Sequence, residues 1–398
     1  MSRIVGTVVR SLRAPIFKEG DDVVAEVGNL LLRFLEQENV EIGKKDVLAI
    51  TESVVGRAQG NYATVDHIAM DIKEKFGDDT IGVLFPILSR NRFAINLKGI
   101  ARGAAKKVVI MLSFPSDEVG NHLVYFKSLD DKGVNPWTDV LDEAAFRANF
   151  GYEKHLFTGI DYIEYYKSIV EAEGKECEIV FSNIPKTMLN YTDSVLCCDI
   201  HTRQRSKKIL TREGAKKVYT LDDILNKSID GSGYNSDYGL LGSNKATEDS
   251  IKLFPRDCET LVNQIQKMIL DKTGKKIEVM VYGDGAFKDP VGKIWELADP
   301  IVSPGFTDGL MGTPNEIKLK YLADNDFAEL RGQELEQAIK ESIIKKDESL
   351  VGEMAGQGTT PRQLTDLLGS LCDLTSGSGD KGTPVVYIQG YFDNLADE

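Results

Sequence analysis

The chain has 398 residues, 42% of them hydrophobic and 28% charged, and 62 acidic against 48 basic side chains give a formal charge of -14. That length allows two or three domains with a sizeable core, and the composition is that of a globular protein. The acidic balance repels phosphate backbones and anionic bilayers, so nucleic acid and membranes are poor partners, whereas a nucleotide needs only a few local basic groups.

The opening "MSRIVGTVVRSLRAP" lacks the apolar core and cleavage site of a signal peptide, and no apolar run reaches a membrane span. Cys177, Cys197, Cys198, Cys258 and Cys372 are odd in number and scattered. They read as reduced thiols of a cytoplasmic protein.

Strands and helices alternate along the chain. "DVLAITESVV" at 46–55 reads as a strand running into a loop, and "TVDHIAMDIKEKFG" as a helix with Ile68, Ile72 and Phe76 on one face. "TIGVLFPILSRNRF" is a buried strand ending in a basic loop, and "KKVVIMLSFPSDEVGNH" repeats that design with an acidic loop. In the middle third, "YIEYYKSIVEAEG", "CEIVFSN", "SVLCCDI", "RSKKILTREGA" and "KKVYTLDDIL" alternate helix and strand. They predict a small parallel sheet of their own, closed by the linker "SIDGSGYNSDYGLLGSN". The last third holds the helix "PRDCETLVNQIQKMILDKTGKK", ended by Gly274, and the strand "IEVMVYGDGAF". The charged segment "NDFAELRGQELEQAIKESIIKKDE" reads as a solvated helix, followed by "PRQLTDLLGSLCDL" with Pro361 in its first turn, and the strand "TPVVYIQG".

Four strand-end or loop clusters carry candidate chemistry. "SRNRF" offers Arg90 and Arg92; "SDEVGN" offers Asp117 and Glu118; "VYGDGAF" offers Asp284. "SGSGDKGT" offers Lys381 and the free amides of Gly377 and Gly379. Carboxylates hold Mg²⁺ or Mn²⁺, and guanidinium or ammonium groups hold phosphates, the combination that nucleotide chemistry requires. Each cluster also has a plain reading as a surface turn, a helix cap or an ion-pair network. "CCDIH" lies on an apolar strand whose side chains alternate in direction, so packing explains it better than a metal does. His67, His122, His155 and His201 show no paired zinc spacing. "SGSGDKGT" is not a phosphate loop, because a helix precedes it and a strand follows, the reverse of that motif.

The order of motifs resembles the γ-glutamyl ligases of the deazaflavin coenzyme F-420, which join L-glutamate to a phospholactyl-deazaflavin using GTP. "SVVGRAQG" at 53–60 is similar to the family's Lys-Ile-Val-Ser-Lys-Ala-Glu-Gly loop, with "GDDV" upstream matching its Gly-Asp-Asp entry. "GLLGSNKATEDSIKLFPRD" at 239–257 resembles its Gly-Ile-Asp-x-Ser-Asn and Leu-Pro-Arg-Asp motifs. "YGDGAFKDPVGKIW" and "TPVVYIQG" echo its two later strands. The departures are Ser53 for the first loop lysine, Gly56 for its serine, Leu241 for the aspartate of Gly-Ile-Asp, and Gly285 for a threonine.

The resemblance implies an α/β (mixed α+β) class, with a ligase-like fold in two parts, 1–122 and 236–398, and a small βα domain inserted at 123–235. It also implies a homodimer, and Mg²⁺ or Mn²⁺ with GTP or ATP as co-substrate. The expected activity is addition of L-glutamate to an acidic acceptor through an acyl phosphate. Asp284 would act in catalysis and bind metal, with Asp117, Glu118 and Asp237 as further ligands, and Lys381 would act beside it. Arg57, Arg90, Arg92, Ser243, Asn244, Gly377 and Gly379 would hold the nucleotide and its phosphates. Ligation to a folate-like or cell-wall acceptor, and a non-catalytic nucleotide- or metabolite-binding paralogue, are the competing readings.

Overall fold

The computed structural model describes residues 4–285, 298–346, 349–356, 362–376 and 379–397. From the N-terminus come β1 (Val8–Leu12), α1 (Val23–Gln37), β2 (Val47–Thr51), α2 (Glu52–Ala58), β3 (Tyr62–Thr64), α3 (Val65–Phe76), β4 (Ile81–Leu84), α4 (Phe93–Gly103) and β5 (Lys107–Leu112). The middle of the chain adds α5 (Phe126–Lys132), β6 (Leu141–Asp142), α6 (Glu143–Phe150), α7 (Tyr162–Ala172), β7 (Glu176–Phe181), β8 (Ser194–Cys197), α8 (Arg203–Arg212) and β9 (Lys217–Thr220). Then follow β10 (Asn244–Lys245), β11 (Ser250–Lys252), α9 (Cys258–Thr273), β12 (Glu278–Tyr282), β13 (Gly305–Phe306), α10 (Leu319–Asp324), α11 (Gly332–Lys345), α12 (Leu364–Thr375) and β14 (Val385–Gln389). The class is mixed α/β. Pro361, expected in the first turn of α12, lies outside the described residues.

Three sheets organise these elements. The first runs β1-β14-β2-β12-β13, with β2 and β12 parallel and the other pairs antiparallel. Its central strands are buried on both faces, which is why they read as unbroken apolar runs. Val27 and Leu31 of α1 and Val262, Ile265 and Ile269 of α9 pack on Leu48, Ile50 and Val279. Leu368 and Cys372 of α12 cover Val47, Ala49 and Met280 on the other side.

The second sheet has the order β6-β7-β5-β4-β8-β9, and all but β6 are parallel. Counted along the chain, its parallel strands stand in the order 3-2-1-4-5, the arrangement of doubly wound nucleotide-binding sheets. The sheet is larger than the segment 123–235. Its central strands β4 and β5 come from the N-terminal third, because isolated β7, β8 and β9 would leave apolar faces and edge amides uncovered. The third sheet, β10-β11-β3, is a short antiparallel ribbon between the other two.

Two local readings differ from the structure. "SVVGRAQG" is mostly the helix α2, not a loop. The supposed linker after β9 is packed against the body: Asn235 donates to the carbonyls of Phe254 and Pro255, both at 3.1 Å, and Leu240, Leu241 and Ser243 are buried.

Helix α4, which carries Arg92 at its start, is held tightly on α3. A Cβ at Gly103 would lie 2.6 Å from the Ala69 carbonyl oxygen, a backbone atom with no room to yield. Gly103→Ala is therefore expected to cost about 1–3 kcal/mol in urea denaturation. An unchanged midpoint would mean that the two helices separate freely.

Candidate active site

The carboxyl ends of the parallel strands converge. At the point where the order of the second sheet reverses, between β4 and β8, doubly wound proteins usually open a ligand crevice. Here Pro86, Ile87 and Leu88 fill that place and are buried. The loop is pinned from two directions. Asp117 accepts the Leu88 amide at 2.7 Å, while the Tyr166 hydroxyl donates to the Ile87 carbonyl at 2.6 Å and accepts the Ser89 amide at 2.8 Å. Glu118 then accepts the His201 amide at 2.6 Å, tying the loop after β5 to the loop after β8. The switch point thus serves as an anchor for the next residues of the loop.

Those residues end in Arg92, whose guanidinium reaches across to the first sheet. Nη1 donates to Asp299 Oδ1 at 2.6 Å, and Nη2 pairs with Asp284 Oδ2. Asp299 also accepts the Asp284 amide at 2.7 Å, which fixes the turn after β12. Gly283 permits this approach: a Cβ there would lie 2.4 Å from Asp299 Oδ2 and 3.7 Å from Glu52 Cγ. Glu52 leaves the end of β2 at the first turn of α2 and is buried. Lys252 of β11 meets it at 3.3 and 3.4 Å and donates to Ser53 Oγ at 2.8 Å. Asp373, near the end of α12, accepts the Gly285 amide at 3.0 Å. Each of the three sheets therefore supplies at least one charged group.

Negative charge exceeds positive here: Glu52, Asp284, Asp299 and Asp373 face Arg92 and Lys252. Burial, with Asp299 adding to it, pushes the Asp284 carboxyl up to about 7 against the pull of Arg92. Burial also raises Glu52, opposed by Lys252 and reinforced by Asp299. Asp373 rises for the same two reasons, burial first and then Asp299. Burial alone would lower the Arg92 guanidinium, but Asp299 and Asp284 outweigh it and keep it charged. The ammonium of Lys252 has no lone pair, so Ser53 Oγ must accept its hydrogen bond. The Ser53 proton is then directed away from Lys252, and the exposed side chain is set up as a donor.

Among the residues singled out from sequence, Asp284 and Arg92 come together. Arg90 is exposed on the same loop, and Arg57 is exposed on α2. Ser243 is buried and exchanges hydrogen bonds with Asn96 of α4 at 3.0 and 3.4 Å, behind Arg92. Both side chains line a small pocket of about 20 Å³, room for one water. Asn244 opens β10, with its amide 3.5 Å from the Gly242 carbonyl. Asp117 is fully engaged, accepting the amides of Leu88, Val119 and Asn121 and the Asn121 side chain, and burial holds its carboxyl up at about 6. Glu118 is spent on His201, and Asp237 is exposed in the loop before Tyr238. Gly379 and Lys381 are exposed in the turn entering β14, and Gly377 lies outside the described residues. Among the described residues, no three carboxylates, histidines or cysteines are drawn together as a preformed metal site, so Asp117, Glu118 and Asp237 do not join Asp284 in one.

Glu52, Lys252, Asp299 and Asp373 were not foreseen. Glu52 had a signal, a carboxylate directly after the apolar run "VLAIT". Lys252 stands alone in the apolar "SIKLF", which is also a signal once noticed. The loop lysine that the resemblance places at Ser53 is absent, and Lys252 brings an ammonium to that hydroxyl from another sheet.

The family described as F420-0:Gamma-glutamyl ligase matches residues 11–390, nearly the whole chain. The chain belongs to this family. The matched range spans the middle segment as well as both ends. No curated protein matches it. Among the described residues, no helix is long and apolar enough to cross a membrane.

Proposed function

We propose that this γ-glutamyl-ligase-family protein is a nucleotide- and divalent-metal-dependent amide ligase, adding L-glutamate to a carboxylate-bearing cofactor or metabolite through an acyl phosphate. The observation that carries the reading is the cleft where Glu52, Asp284 and Asp299 outnumber Arg92 and Lys252 beside the exposed Ser53 hydroxyl. Hard oxygen donors with uncompensated negative charge suit Mg²⁺ or Mn²⁺. The set is not complete in itself, so Asp284 and Glu52 would share the cation with phosphate oxygens, as is usual for Mg²⁺. Such an ion would neutralise charge on the transferring phosphoryl group.

The chain's own groups have definite tasks in this reading. Ser53 donates its hydroxyl proton to a phosphoryl or carboxylate oxygen, and Lys252 holds that hydroxyl in place and adds positive charge. Arg92 keeps the Asp284 turn fixed and, with the exposed Arg90 and Arg57, draws the polyphosphate in. The amine of the incoming amino acid attacks the acyl carbon, phosphate leaves, and the excess proton passes to a nearby carboxylate.

The test is incubation with GTP or ATP, Mn²⁺ or Mg²⁺, L-glutamate and a panel of organic acids, reading phosphate release and a glutamyl mass increment. Turnover is expected, and Ser53→Ala should lower kcat by about a hundredfold to a thousandfold, the range for losing one donor to a developing oxyanion. No phosphate release, together with no nucleotide-induced thermal shift, would overturn the reading. The engagement of Asp284 by Arg92 favours one alternative, a non-catalytic paralogue that binds nucleotide without turning it over. Glutamyl transfer to a folate-like or cell-wall acid instead would change the acceptor and leave the mechanism intact. Homodimer formation belongs to the same proposal and is read from the mass in solution.

A further inference from the structure

Outside this cleft, guanidinium groups without a carboxylate partner gather at a second place among the described residues. The edge strand β1 and the helix α1 flank a groove of about 650 Å³ lined by Arg10, Arg13, Arg33, Gln37, Glu38 and Ser11, with Leu12, Leu30 and Phe34 as its apolar wall. In a chain whose acidic side chains outnumber the basic ones 62 to 48, three guanidinium groups in one groove stand out. Arginines elsewhere, such as Arg92, Arg102, Arg147 and Arg203, are each paired with a carboxylate. Among the described residues, Arg10, Arg13 and Arg33 have no carboxylate partner, although Glu38 lies in the same groove.

Arg10 is also pre-positioned. Its Nη1 donates to Gln389 Oε1 at 2.5 Å, and its guanidinium sits over the Phe34 ring, 5.9 Å from the centroid. Gln389 is itself oriented, because its amide nitrogen donates to the Glu41 carbonyl at 2.9 Å and to Asp46 Oδ2 at 3.2 Å. A chain of three groups, Asp46, Gln389 and Arg10, thus fixes one guanidinium while leaving further N–H groups free for a ligand. Arg13, the residue after β1, and Arg33 of α1 are exposed on the two walls. Arg13 precedes Ala14, whose amide donates to the Gly382 carbonyl at 3.1 Å. That contact brings the backbone of the Lys381 turn to the end of the groove.

We infer that this groove is a binding site for a small polyanion, a ligand carrying several phosphate or carboxylate groups, separate from the catalytic cleft. Planar guanidinium groups bind such oxyanions in pairs of parallel hydrogen bonds. The groove volume is that of an ordinary small-molecule site. A second copy of the chain pairing along β1 is a poorer occupant, since two-fold pairing would bring the same arginine-bearing edge of both copies together.

Calorimetric titration of the full-length protein with tripolyphosphate and, separately, with citrate tests this. One saturable site is expected for at least one probe, weakening as salt rises. The double variant R13Q/R33Q should bind about tenfold more weakly, the loss expected from two exposed charge contacts. Both side chains are exposed, so its urea midpoint should match the parent. Tighter binding of tripolyphosphate names phosphate as the recognised group, and tighter binding of citrate names carboxylate. No saturable binding of either probe, or equal affinity in R13Q/R33Q, overturns the inference. So does a variant that loses only self-association.

Discussion

Replacing Arg92 with methionine is expected to lower stability by about 3–5 kcal/mol at neutral pH, because removing one member of a buried ion-pair network leaves the others uncompensated. The arginine side chain is 15% exposed, and Asp299, the more deeply buried of its two partners, is 2% exposed. The pH dependence follows from Asp284. Its folded-state value of about 7 lies above that of an unfolded aspartate, near 4, so the folded protein binds more protons in between. Its contribution is therefore present below about pH 4 and is lost as the pH rises towards 7. Without Arg92 the carboxyls repel one another more strongly once ionised. The deficit in Arg92→Met should then be larger at pH 8 than at pH 5, read from urea denaturation at both. An equal deficit of under about 1 kcal/mol at the two values would place Arg92 among ordinary surface pairs.

The second large effect is expected at Lys252. Lys252→Met would strand Glu52, a buried carboxylate, and should also cost about 3–5 kcal/mol. Glu52→Gln removes the charge that Lys252 answers. The double variant is therefore expected to recover at least about 1 kcal/mol relative to the sum of the single changes. Strict additivity would mean that the two groups do not sense each other, contrary to their 3.3 Å approach. The same variants separate stability from chemistry. The hydroxyl of Ser53 survives in all of them, but only Lys252 restricts the direction in which it donates.

Much of the element pattern was legible because apolar runs and helical spacing act locally. β4, β5, β7, β8, β9, β12 and β14 each fall on an apolar run in the sequence. α1 and α2 were not read as helices, although Asp22 caps α1 by accepting the Ala25 amide at 3.0 Å. The order of the strands was hidden, because β4 and β8 pair across more than a hundred residues and nothing local records the partner. The site shows the same division. Asp284 and Arg92 were visible as polar residues at the ends of apolar strands. Their mutual contact, 192 residues apart, and that of Lys252 with Glu52, 200 apart, depend on how three sheets meet. A carboxylate such as Asp117 looked like a ligand for the same positional reason, yet its oxygens are spent on loop amides. Strand-end position identified polar residues near the cleft without separating those that face it from those that brace it.

The bridge from Arg92 to Asp284 and Asp299 also has a mechanical meaning. It joins the loop of one sheet to the turn of another, and that loop is riveted to the body through Tyr166. A hinge between the two sheets would have to tear this latch before it could swing. Among the described residues, this latch ties the floor of the cleft to both sheets at once.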